Sequence, residues 1–106
     1  MEEQPNLLYI KKLAGEDKAF EEKFIAIIKE EFPLEQKEYL SYVASKRYKE
    51  TSEIVHKLKH KLNILGLEKS YKLAVQYEED LNNANTKLEN DFKIILKNIE
   101  DFIKTI

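Results

Sequence analysis

A chain of 106 residues is long enough to bury one core and fold alone, and it is read as a single domain over 1–106. Hydrophobic residues make up 42% and charged residues 36%, with two Gly and two Pro, which argues against a fold of many short strands and turns and predicts an all-α protein. The 18 basic and 20 acidic residues are spread along the chain and leave a net charge of −2, so there is no basic stripe for nucleic acid; without Cys there is no disulfide framework, thiol nucleophile or Cys-based zinc site.

Leu7, Leu8, Ile10 and Leu13 predict a short first helix, a lid or cap, that ends at Gly15. Asp17 is the expected N-cap of the next helix, in which Phe20, Phe24, Ile27 and Ile28 recur at helical spacing. Pro33 is expected to mark a kink or a boundary, with a third helix carrying Leu34, Tyr39, Leu40, Tyr42 and Val43 beyond it. The stretch Ser45–Tyr48 is expected to turn the chain.

The fourth segment runs from about Lys49 to Leu65 and stops at Gly66. The fifth runs from about Leu67 to Leu81 and stops among Asn82, Asn83, Ala84 and Asn85. Thr86 is the expected cap of a last helix whose Leu88, Phe92, Ile95, Ile99, Phe102, Ile103 and Ile106 keep a three-and-four rhythm. Short connections between long helices predict an up-down antiparallel four-helix bundle with one or two short extra N-terminal helices. The N-terminus lacks a signal pattern and no apolar run approaches the ~18 residues of a membrane span. A soluble, cytoplasmic, monomeric protein is therefore expected, and the starting Met and well-formed last helix suggest one that stands alone.

The chemistry concentrates between Glu53 and Gly66. A turn of about 100° per residue puts Ile54, Val55, Leu58, Leu62 and Leu65 on the side that must face the core. His56 falls almost opposite, flanked by Lys59, His60 and Asn63 on an outward face that a partner could reach. A histidine placed this way is most often an ordinary polar surface residue. His56 and His60, one turn apart, could also ligate zinc or copper, although two histidines among three lysines make a poor cage. The Glu53–His56 spacing is that of carboxylate-bridged di-metal bundles, but these need a second Glu-x-x-His, and both histidines of this chain lie in one segment.

The string His56-Lys57-Leu58-Lys59, followed by apolar Leu62 and Leu65 and by Gly66-Leu67 ten residues on, resembles the active-site segment of the histidine phosphotransfer (HPt) domain family. Leu8 to Gly15 followed by Phe20 and Phe24 also resembles the opening helix and turn of that family, so the likeness covers residues 7–81 and, through the last amphipathic helix, extends over the whole chain. It implies that His56 accepts a phosphoryl group and passes it between the aspartates of response-regulator receiver domains, in a relay fed by a hybrid sensor histidine kinase. An imidazole suits the role because it is nucleophilic at neutral pH, and Lys59 would offer a point charge to the phosphate oxygens. Glu78 falls within the apolar stripe of Leu67, Tyr71, Ala74, Val75 and Leu81 and matches the family position that accepts a hydrogen bond from the imidazole. The competing reading of Glu78 is an edge carboxylate paired with a lysine.

One position departs from the family. Where many members have Gly after the motif lysine, this chain has His60, which with Asn63 would belong to the partner-docking face. No cofactor is implied, since Mg²⁺ would sit on the receiver, and no Gly-rich phosphate loop suggests autokinase activity. A non-catalytic receiver-binding module, a degenerate HPt, is the main alternative, and a metal-binding bundle built on His56 and His60 is the third.

Overall fold

The computed structural model describes residues 3–106, in which there are five helices and no strand. Met1 and Glu2, part of the expected 1–106 domain, lie outside the described residues. The helices are α1 (Leu8–Ala14), α2 (Lys18–Ala44), α3 (Tyr48–Ile64), α4 (Glu68–Asn82) and α5 (Glu89–Ile103). No helix is long and apolar enough to cross a membrane. Four long helices and a single short one thus make up the fold, and α3 packs on both α2 and α4, while α5 packs on α4 and α2.

Helix α2 differs most from the expectation. It runs unbroken through Pro33 for 27 residues, so there is no separate third helix before Ser45. Proline inside a helix costs ~3 kcal/mol because one backbone bond is lost and the ring crowds the preceding turn. Pro33 and Lys29, whose carbonyl loses its partner, are both exposed, so water can serve the freed oxygen. The inward positions Ile28, Phe32 and Tyr39 meanwhile bind both halves of the helix to one core. Asp17 caps the start, its side chain accepting the Phe20 N–H at 3.0 Å.

Three helix ends close with the same device, in which a residue at positive φ lets the chain fold back on the last turn. Arg47 N–H donates to the Tyr42 carbonyl, Leu67 N–H to Leu62 and Asn85 N–H to Asp80. The positive-φ residues are Lys46, Gly66 and Ala84, so only one of the three stops uses glycine. At Gly66 glycine is doubly suited, because an added Cβ would lie 2.6 Å from the Asn6 side chain. Asn6 also donates its N–H to the Leu65 carbonyl, and Glu3 accepts the N–H groups of Lys69 and Ser70 at 2.7 and 2.9 Å. Burial pushes the Glu3 carboxyl up, but these backbone donors outweigh it and hold it below the usual value. The N-terminal residues therefore cap α4 from across the α3–α4 turn. Thr86 does not cap α5, which begins at Glu89; Asn85 accepts the Lys87 N–H and the Thr86 carbonyl accepts that of Glu89, so 86–88 form a turn instead.

The core joins Ile10, Ile28, Phe32 and Tyr39 to Val55, Leu58, Leu62, Leu65, Tyr77, Leu81, Phe92, Leu96 and Ile99. All five residues expected on the inner side of the His56 segment are buried. Elsewhere the apolar reading was too generous, since Leu8, Leu13, Phe20, Ile27, Leu34, Leu40 and Val75 are exposed. At the centre Tyr39 and Tyr77, both fully buried, share a 2.8 Å hydroxyl–hydroxyl hydrogen bond beside Phe92. Burial and this bond hold the Tyr39 phenol far above its ordinary range, and burial raises that of Tyr77. Tyr77 occupies the inward position between Ala74 and Leu81, at the three-and-four spacing that Val75 does not share.

Candidate functional site

Packing of one side of α3 against α2 and α4 leaves Glu53, His56, Lys57, His60 and Asn63 on the open side. The His56 side chain is 56% exposed. Its ring is not loose, because Nδ1 lies 3.1 Å from both carboxylate oxygens of Glu78, which reaches across from α4. One turn earlier, Ser52 Oγ donates to the backbone carbonyl of Glu78 at 3.3 Å, tying the two helices in register beside the imidazole. A carboxylate can only accept a hydrogen bond, so the imidazole proton belongs on Nδ1. In the neutral ring this leaves the lone pair on Nε2, and no hydrogen bond reaches that atom among the described residues.

Lys59 is not on the outward face. It is almost buried, and its ammonium turns toward α4, donating to Glu78 Oε1 at 3.1 Å and lying 5.9 Å from the centre of the Tyr71 ring. The carboxylate and the aromatic face offer the charge better compensation than a convex surface would. Glu78, with its side chain 19% exposed, thus holds His56 and Lys59 together. The two sequence readings of Glu78, imidazole acceptor and lysine partner, describe two contacts of one side chain.

His60 stays exposed, and its ring stands edge-on to that of His56, with centroids 5.0 Å apart and planes at 88°. Asn63 is exposed one turn beyond it. Lys61, the next cation along, points to the other side of the helix, where its Nζ lies 3.0 Å from Glu31 Oε1 and 2.9 Å from Glu35 Oε1. The Glu35 oxygen is buried without a well-aligned hydrogen bond, so this charge compensates it. Burial pulls the Lys61 ammonium down in pKa, but the two carboxylates outweigh burial and hold it above the ordinary lysine value.

Ser52, Tyr77 and the inward turn of Lys59 are not among the expectations from sequence. Tyr77 was accessible from its spacing, but the other two depend on which helix lies alongside α3. A cavity of about 280 Å³ is lined by Glu3, Ser70 and Leu73 on one side and Ile94, Ile95 and Asn98 on the other, and none of the expected site residues lines it. His56 lies instead on the exposed face of α3. Compared with known proteins, the chain matches no family model, no curated protein and no solved structure.

Proposed function

We propose that this chain is a histidine phosphotransfer protein that carries a phosphoryl group on His56 between receiver-domain aspartates. The observation that carries the reading is the exposed His56 ring held through Nδ1 by Glu78 with Nε2 left free. The helix neighbours, α2 to α3 to α4 to α5 and back to α2, support the up-down four-helix arrangement that such a domain would have. The proposed setting is the cytoplasm, and the proposed partners are response-regulator receivers and a hybrid sensor histidine kinase.

In the proposed step the Nε2 lone pair attacks the phosphorus of a receiver's aspartyl phosphate. The N–P bond forms, the bond from phosphorus to the aspartate oxygen breaks, and the aspartate leaves as a carboxylate. The ring keeps its Nδ1 proton and becomes cationic, and Glu78 stabilises that charge through the bond it already makes. Attack by a second receiver's aspartate reverses the sequence and restores the neutral imidazole. Lys59 neutralises Glu78 between transfers and adds positive potential beneath the incoming phosphate. Mg²⁺ would be supplied by the receiver, and the chain would have no autokinase activity. His60 and Asn63 would lie on the docking face.

The test is transfer from a panel of labelled phosphorylated receivers to the wild type, His56→Gln and Glu78→Ala. The expected result is an acid-labile label on the wild type, none on His56→Gln, and a transfer rate to Glu78→Ala lower by roughly tenfold or more. Label retained by His56→Gln would overturn the assignment of the acceptor. Receivers that bind the wild type without labelling it would favour the non-catalytic module, a reading to which the His60 ring beside the acceptor lends weight.

A further inference from the structure

Three lysines near two histidines argue against a cation site when they are counted along the sequence. The folded chain disposes of two of them. Lys59 is committed to Glu78 and Lys61 to Glu31 and Glu35, which leaves Lys57 as the exposed ammonium of the three. The open face of α3 is therefore much less cationic than its composition suggests.

Geometry and chemistry then favour the imidazole pair as ligands. Two imidazoles bound to one tetrahedral zinc, with Zn–N distances of ~2.0–2.1 Å, have ring centroids about 5 Å apart. The rings of His56 and His60 already stand at 5.0 Å. Their edge-on orientation can adjust through the side-chain torsions of His60, which lies on the exposed face, while Glu78 holds the His56 ring in place. The hydrogen bond from Nδ1 of His56 to Glu78 is also the support that metal-ligating histidines use, since it fixes the tautomer and makes the other nitrogen a stronger donor. Imidazole nitrogen suits zinc and copper better than magnesium or calcium.

We infer that His56 Nε2 and His60 form a two-histidine site for a divalent transition metal of the zinc class, with water in the remaining positions. With two protein ligands and water in the other positions the site is open and its metal exchangeable. The metal takes the same lone pair that phosphoryl transfer uses. Metal binding and phosphorylation of His56 therefore exclude one another, a consequence that rests on the proposed carrier function, whereas the metal site itself does not.

The site is tested by calorimetric titration of the wild type, His56→Gln and His60→Gln with zinc chloride in a non-coordinating buffer, with circular dichroism confirming that each variant is folded. One zinc per chain is expected, with affinity lowered roughly tenfold or more in both variants and the imidazole NMR signals of both histidines shifting together in the wild type. No binding, or binding that either variant leaves intact, would overturn the site. The exclusion is tested separately by transfer from a phosphorylated receiver in Mg²⁺ with and without Zn²⁺, each protein being compared with its own zinc-free rate. Inhibition of the wild type at site-saturating Zn²⁺, with His60→Gln needing roughly tenfold more, is expected. Equal inhibition of both would overturn the exclusion. Failure of the zinc-free wild type to accept phosphate from any receiver in Mg²⁺ would overturn the carrier function and the exclusion with it, and the titration would still decide the metal site.

Discussion

Lys59→Met tests whether the Lys59 charge belongs to the fold as well as to the proposed phosphoryl site. The substitution keeps an unbranched apolar stem of similar length and removes the ammonium that lies 3.1 Å from Glu78 Oε1. The two side chains are 11% and 19% exposed, so the pair is neither a surface contact nor a fully dry one. Exposed pairs contribute ~0–1 kcal/mol, while breaking a buried pair costs ~3–5 kcal/mol, and the intermediate burial here places the expected coupling at about 1–2 kcal/mol. Urea denaturation of Lys59→Met, Glu78→Gln and the double variant measures it, because the double variant should lose less than the sum of the single losses. A coupling below about 0.3 kcal/mol would refute the inward placement of Lys59 and return its ammonium to the outward face. Phosphotransfer by Lys59→Met gives the second arm, since a role beneath the incoming phosphate predicts a fall in rate under conditions where the variant remains folded.

Replacing Tyr39 or Tyr77 by Phe leaves the other buried hydroxyl without its 2.8 Å partner and should cost about 1–3 kcal/mol, whereas the double variant should lose distinctly less than the sum; strict additivity in denaturation would show that the bond is not formed. Pro33→Ala should stabilise the protein by roughly 1–3 kcal/mol, since it restores a backbone donor inside α2, and an unchanged or lower melting temperature would mean that α2 is broken there. The Lys61 pKa is raised by folding, so its contribution is fully present below the unfolded-chain value of about 10.4 and is lost as pH rises through the higher folded value. The wild type should accordingly hold a constant stability advantage over Lys61→Met from pH 6 to about 9 and lose it in stronger alkali, and an advantage that persists there would refute the ion-pair account.

The helical class, the four closing turns and the inner side of the His56 segment were legible in the sequence because each depends on local physics. Apolar residues three and four apart define a helix face, Asp17 offers a carboxylate to a free N–H, and Gly15 and Gly66 tolerate the positive φ that ends a turn. The outward position of His56 follows from the same periodicity. Pro33 shows where local reasoning stops, because its penalty is local but the packing of Ile28, Phe32 and Tyr39 that overrides it comes from other helices. Lys59 shows it again. Helical phase put its ammonium beside His56 in the open, and only the approach of α4, with Glu78 and Tyr71 at the right height, decided that a flexible lysine would turn inward. Long charged side chains settle wherever their charge is best compensated, and that depends on residues distant in sequence. Periodicity therefore placed the histidine and the resemblance pointed to Glu78 as its partner, while the meeting of α3 with α4 is what brings that carboxylate to 3.1 Å from Nδ1, because the two residues are 22 apart in the chain.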